Sequence, residues 1–242
     1  MTDLLKLQNL SAGYGEAVIL NDIDLVLREG ETLALLGRNG TGKTTLMNTI
    51  AGATRQFRGG IWLDGSDLYA LASFKRAAAG IGWVPQERNI FKSLTVHENL
   101  TAVWRNVSRS SKHPPWSPDR VYDMFPRLSE RKQNMGNQLS GGEQQMLAIA
   151  RALVLNPKVL LLDEPLEGLA PIICEELMKS INRITRQEGM SAIIVEQHPQ
   201  AVLAISDQAV VLDQGRVIYS GQAEKLRRNP ALLEKLIGLV RH

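Results

Sequence analysis

"GRNGTGKT", residues 37–44, follows the apolar run "TLALL" (Thr32–Leu36) and leads into "LMNTIAG" (Leu46–Gly52). The eight residues satisfy G-x-x-x-x-G-K-[ST] in the context that pattern requires, after a buried strand and before a helix. Gly37, Gly40 and Gly42 let successive backbone N–H groups converge on phosphate oxygens, and the helix N-terminus adds the positive end of its dipole. Arg38, Asn39 and Thr41 fill the variable positions. Lys43 has the reach for β- and γ-phosphates, the Thr44 hydroxyl suits Mg²⁺, and Thr45 completes the candidate set. ATP and Mg²⁺ are the expected cofactors. A plain glycine-rich turn is the competing reading, and motif and context together outweigh it.

The opposing charge comes from "VLLLDEP" (Val159–Pro165). Val159–Leu162 suit a central parallel strand covered on both faces. Asp163 then emerges at the carboxyl end, where such sheets bind ligands, as a candidate Mg²⁺ ligand. Glu164 is the candidate general base for an attacking water. Gln86, ending the strand-like "GWVPQ", offers a neutral carboxamide to both Mg²⁺ and that water. Tyr14, in "LSAGYGEAV", offers a flat face for an adenine, though periodicity decides neither residue.

The 242 residues suffice for one well-buried α/β domain. A formal charge of +3, with Lys and Arg dispersed, does not point to a nucleic-acid surface. Cys174 is the sole cysteine, which excludes an internal disulfide and suits a reducing compartment. No apolar run approaches the ~20 residues of a membrane helix, and the N-terminus lacks a signal-peptide pattern, so a membrane association is expected only through partners.

Along the chain, "LLKLQNL", "NDIDLVL" and "TLALL" read as strands before the phosphate loop, with "GGIWLDG" and "GIGWVPQ" after its helix. Residues 87–138 read as mostly helical, with a Thr95/Glu98 capping box, a Ser117–Pro118 helix start and a polar, Pro-containing loop at 105–118. Helices and strands alternate from Ser140 on: "KVLLLD", a helix from about Ile172, "SAIIVEQ", a hairpin turning at Asp213–Gly215, and a capped amphipathic tail from Asn229.

"QLSGGEQQMLAIARAL" (Gln138–Leu153) starts a helix with a Ser140/Glu143 capping box, and its apolar stripe runs through Met146, Leu147, Ile149, Ala150, Leu153 and Val154. Yet Gly141 and Gly142 occupy its first turn, each at roughly 1 kcal/mol against alanine. The capping box does not explain them.

With the phosphate loop, Gln86, "LSGGE" and "VLLLDEP" in that order, the chain resembles an ATP-binding cassette (ABC) transport ATPase over essentially its whole length. The resemblance implies an α/β phosphate-loop NTPase core with a mostly parallel central sheet, an N-terminal antiparallel β subdomain and an inserted α-helical subdomain. It implies one cassette over residues 1–242, with the core at 1–86 and 139–242 and the helical lobe at 87–138, the lobe receiving a coupling helix of a membrane partner. In this family the signature of one cassette caps ATP held by its partner, so Ser140, Gly141, Gly142 and Glu143 would act in trans. Tyr14 aligns with the adenine-stacking aromatic, Gln86 with the coupling glutamine and Glu164 with the catalytic base.

Two departures from the general pattern resemble the branched-chain amino-acid uptake type, whose relatives also serve urea and short amides. Ala170 in "EGLAP" replaces an aspartate, and Gln197 stands where a switch histidine is usual, with His198 one residue late. Gln197 is the favoured γ-phosphate contact over His198, because a one-residue strand shift would turn every alternate side chain to the other face. The implied partners are a second, usually different, cassette, two membrane permease subunits that hold the chain at the cytoplasmic face of the cell membrane, and indirectly an extracytoplasmic solute-binding protein. A homodimer stays open. The competing classes are a soluble cassette of translation or DNA repair, which usually carries twin cassettes or coiled-coil insertions, and a small-molecule kinase, in which "LSGGE" has no role.

Overall fold

The computed structural model describes residues 2–105 and 114–238. Strands β1 (Asp3–Tyr14), β2 (Ala17–Arg28) and β3 (Thr32–Leu36) precede the phosphate loop, and α1 (Lys43–Ala51) follows it. Next come β4 (Arg55–Leu63), the two-residue β5 (Ser66–Asp67), α2 (Ser73–Ala79) and β6 (Ile81–Val84). Among its described residues, the segment expected to be mostly helical holds α3 (Val96–Thr101), α4 (Pro118–Met124), α5 (Pro126–Glu130) and a 3-10 turn at Gly136–Gln138. The predicted loop at 105–118 lies largely outside the described residues. The chain then runs through α6 (Gly141–Leu153), β7 (Val159–Asp163), α7 (Pro171–Asn182), a π-helical turn at Arg183–Gln187, β8 (Ser191–Val195) and α8 (Pro199–Leu203). It finishes with β9 (Gln208–Asp213), β10 (Arg216–Gln222), α9 (Ala223–Arg227) and α10 (Pro230–Ile237).

An antiparallel sheet in the order β2-β1-β4-β5 packs against a six-stranded sheet, β10-β9-β3-β8-β7-β6, parallel throughout except for the β10–β9 pair. Side-chain alternation explains the layering. Leu33 and Leu35 of β3, Val159 and Leu161 of β7, and Ile193 and Val195 of β8 join one core with α1 and the antiparallel sheet. Ala34, Leu36, Leu160, Leu162, Ala192 and Ile194 point the other way, into a second core with α3–α7. The parallel strands are buried on both faces, as their unbroken apolar runs require.

The helix starts follow the sequence signals. Thr95 and Glu98 form a reciprocal capping box on α3, the Ser117 hydroxyl accepts the Arg120 N–H, and Asn229 accepts the Leu232 N–H. On α6, Ser140 Oγ accepts the Glu143 N–H at 3.3 Å and the Ser140 N–H donates back to Glu143 Oε2 at 2.8 Å. All six residues of its predicted stripe lie in the second core. The β9–β10 hairpin turns at Gln214 and Gly215, both with positive φ, the geometry a two-residue turn demands.

Candidate nucleotide site

The carboxyl ends of β3, β7 and β8 face the phosphate loop, and a cavity of about 290 Å³ opens between them. It is lined by Asn39, Gly40, Gly42, Lys43, Thr44, Thr45, Gln86, Glu164, Glu167 and Gln197. Thus six residues of the loop motif and its helix, with Gln86, Glu164 and Gln197, share one cavity.

The loop holds its shape through glycines in the left-handed region. Gly37 has φ 147° and Gly42 φ 108°, and a methyl group at Gly37 would sit 2.4 Å from the Leu212 carbonyl. The Thr41 hydroxyl donates to the Arg38 carbonyl at 2.8 Å, closing the turn. Lys43 is buried and donates to the carbonyls of Gly37 and Arg38, both at 2.8 Å, so its ammonium lies within the loop. Burial lowers its pKa, while Glu164 and Asp163 counter that by stabilising its charge. Arg38 turns away and donates to the carbonyls of Ile237 and Gly238 at the end of α10.

Asp163 is 1 % exposed, and neither of its oxygens has a partner in hydrogen-bonding geometry. Desolvation raises its pKa to about 6; the Thr44 hydroxyl beside it and Lys43 relieve this in part, and Glu164 and Glu87 oppose them. A buried, orphaned carboxylate next to a threonine hydroxyl is a poor way to stabilise a fold. It fits a hard divalent cation that takes one or two protein oxygens and fills its shell with phosphate and water.

Glu164 follows Asp163 with φ 49°, a strained conformation for a non-glycine residue, and its N–H donates to the Val195 carbonyl at 3.0 Å. This turn lifts its side chain into the cavity, where Gln197 Nε2 donates to Glu164 Oε2 at 2.7 Å. The Gln86 amide donates to Glu167. His198 lies outside this cavity: it precedes α8 and lines the neighbouring groove between α7 and α8. The cause is alternation past the end of β8, with Glu196 turned inward and Gln197 outward.

Tyr14 is 46 % exposed at the end of β1 and accepts a hydrogen bond from Asn48 at 2.8 Å, so its ring stands beside α1 and not on the cavity wall. Ser140, Gly141, Gly142 and Glu143 also lie off the cavity of their own chain. The two glycines differ. A methyl group at Gly142 would come within 2.4 Å of Ile173 Cγ2 on α7, so helix packing accounts for that glycine. At exposed Gly141 the nearest atoms would be the side-chain ends of Arg88 at 3.3 Å and Leu169 at 3.7 Å, and packing leaves it unexplained.

Sequence reading passed over three residues here. Glu167 receives Gln86; Arg88 bridges Gln145 of α6 and the Glu167 carbonyl; Glu196 is buried under the loops carrying Glu164 and Gln197. "SAIIVE" repeats the pattern of "VLLLDE", an apolar strand ended by a carboxylate, and that repetition was the available signal for Glu196.

A phosphate-loop α/β fold with a buried carboxylate opposite the loop defines a nucleotide-hydrolysing core. The family model for ABC transporters matches residues 20–167, and the chain belongs to that family, as one of its ATP-binding ATPase subunits. It is 37 % identical to the high-affinity branched-chain amino acid transport ATP-binding protein BraG of Pseudomonas aeruginosa, over 97 % of this chain and 100 % of that one. It is 34 % identical to the lipopolysaccharide export system ATP-binding protein LptB of Haemophilus influenzae, over 97 % of each. The probable branched-chain amino acid transport ATP-binding protein LivF of Archaeoglobus fulgidus is 35 % identical over 98 % of this chain and 100 % of its own. Among solved structures, the ADP conformation of the cassette MJ1267 superposes with a TM-score of 0.80 at 25 % identity, covering 98 % of this chain and 100 % of that one. A dimeric post-hydrolysis state of the cassette MJ0796 with ADP and Pi gives 0.76 at 25 % identity, covering 91 % and 99 %. Cassettes of this family work as dimers with membrane permease partners.

Proposed function

We propose that this chain is the ATP-hydrolysing subunit of an importer for a small solute of the branched-chain amino-acid class. The observation that carries the catalytic part is the meeting of Lys43, Thr44, Glu164 and Gln197 on one cavity, with orphaned Asp163 behind it. Lys43 gives up its loop carbonyls for the β- and γ-phosphates. Glu164, held by Gln197, accepts the proton of the water that attacks the γ-phosphate. Mg²⁺, held by Thr44 and Asp163 with Gln86 in reach, would neutralise charge on the phosphate oxygens. Ser140 and the exposed Gly141 serve the nucleotide of a second cassette, and Tyr14 the adenine.

The solute class rests on Gln197 and Ala170 in the sequence together with the likeness to BraG and LivF. A second reading, an export ATPase, has the LptB likeness at 34 % in its favour. No helix among the described residues is long and apolar enough to cross a membrane, so attachment to the cytoplasmic face through permeases is part of the proposal. So is the division of the cassette into a core and an inserted lobe at 87–138. Pulling the tagged chain from solubilised membranes tests this reading. Two permease chains, a different second cassette and a solute-binding protein support it; lipopolysaccharide-export proteins, ribosomes or DNA overturn it.

A further inference from the structure

Glu196 follows β8 directly and is 4 % exposed. Its two oxygens divide their work: Oε1 accepts the Leu166 N–H at 2.8 Å and Oε2 accepts the Gln197 N–H at 3.2 Å. Leu166 lies two residues beyond Glu164, and Gln197 is the residue whose amide reaches Glu164 at 2.7 Å. One buried carboxylate therefore fastens both strand-end loops from below, while their outward side chains meet above it. A carboxyl group in this place is expensive: burial raises its pKa to about 7, although both backbone N–H bonds favour its charge, and Glu164 and Glu167 add repulsion. Leucine would fill the space at lower cost. What leucine cannot do is accept two N–H groups from two different loops.

We propose that Glu196 is a positioning residue for ATP hydrolysis, fixing the segment 164–166 against residue 197 so that the Glu164–Gln197 pair keeps one geometry. The proposal rests on the reading of Glu164 as the base. A glutamine at 196 offers one acceptor oxygen and turns an NH₂ toward the other N–H, so it loosens one loop while nearly preserving volume. The sole cysteine reports on that loosening without reference to activity. Cys174 Sγ lies 3.7 Å from the carbonyls of both Leu166 and Leu169, beneath the same segment.

The test is steady-state ATP hydrolysis by the intact complex isolated from membranes, with Glu196→Gln, Glu164→Gln and the double variant. Maleimide labelling of Cys174 is followed in parallel. Glu196→Gln is expected to lower kcat roughly tenfold with KM for ATP within twofold, and to speed Cys174 labelling. In the Glu164→Gln background it is expected to cause no further loss, because both changes act through one group. An unchanged kcat, parallel changes in kcat and KM, or an additive loss in the double variant overturns the proposal. Should Glu196→Gln fail to assemble, Glu196→Asp carries the same test: its shortened carboxylate lowers kcat at constant KM, or the idea fails. Full turnover in Glu164→Gln alone refutes the base assignment, whatever position 196 does.

Discussion

The Gln197 side-chain amide donates to the Glu164 carboxylate at 2.7 Å, joining the residues that follow β7 and β8 across the phosphate cavity. Gln197 thus lines the phosphate cavity and His198 does not, which supports the proposal that Gln197 is the γ-phosphate contact. Gln197→Ala is expected to lower kcat at least tenfold, whereas His198→Ala stays within about twofold of the parent. ATPase titration of the two variants decides, and loss confined to His198→Ala would sink the assignment.

Removing a general base typically costs 10²–10⁴-fold in rate. Glu164→Gln should therefore bind ATP with unaltered affinity and hydrolyse it at least a hundredfold more slowly. Filter binding and phosphate release measure the two properties separately.

The two signature glycines should part company. Gly142→Ala places a methyl group 2.4 Å from Ile173 Cγ2, and overpacking of this kind costs about 1–3 kcal/mol. In the Ile173→Ala background the same change should cost less. Gly141→Ala meets the side-chain ends of Arg88 at 3.3 Å and Leu169 at 3.7 Å and gains helix propensity, up to about 1 kcal/mol. Its melting temperature should hold or rise while the ATPase rate of the assembled complex falls. A stable, fully active Gly141→Ala complex would remove the functional reason for that glycine.

Asp163 carries a buried charge with no hydrogen-bond partner, relieved only in part by the neighbouring Thr44 and Lys43. At pH 8, above its raised pKa of about 6, Asp163→Asn is expected to raise the melting temperature of the nucleotide-free chain and to abolish Mg²⁺-dependent hydrolysis. A lower melting temperature would show that the carboxylate has a structural partner after all.

Glu196 gives stability a pH dependence of definite sign. Its pKa is raised from 4.5 to about 7 in the fold, chiefly by burial, with Glu164 and Glu167 as charged neighbours and Cys174 beside it. Between those values the folded chain binds a proton that the unfolded chain releases. Its stabilising contribution is thus complete below pH 4.5 and is lost as pH rises through 7. The loss amounts to a few kcal/mol. Melting temperatures across this range should fall less steeply for Glu196→Gln than for the parent.

Much of this architecture was written in local pattern. The unbroken apolar runs of β3, β7 and β8 announced strands buried on both faces, and their order with the phosphate loop placed Lys43, Asp163 and Glu164 together. The capping boxes at Thr95 and Ser140 marked helix starts that the structure reproduces. Helix α2 was not legible because its N-cap is Ala72, with no side-chain cap bond, and only Arg76 is buried. The packing reason for Gly142 was hidden for a different cause. It depends on Ile173, which lies 31 residues away and meets α6 only in the fold. Glu196 was passed over because an acidic residue after a strand is usually solvated, and its burial is a tertiary property.

The central claim is that this chain holds half of an ATP site and completes its partner's. ATP-dependent dimerisation of Glu164→Gln, alone and mixed with the cassette that copurifies with it, tests this most directly, with Gly141→Arg added in the same background. The account predicts a dimer that forms with ATP and is lost on Gly141→Arg, while ATP affinity of the single chain is unchanged. A dimer that survives Gly141→Arg, or one that forms equally without ATP, would contradict it.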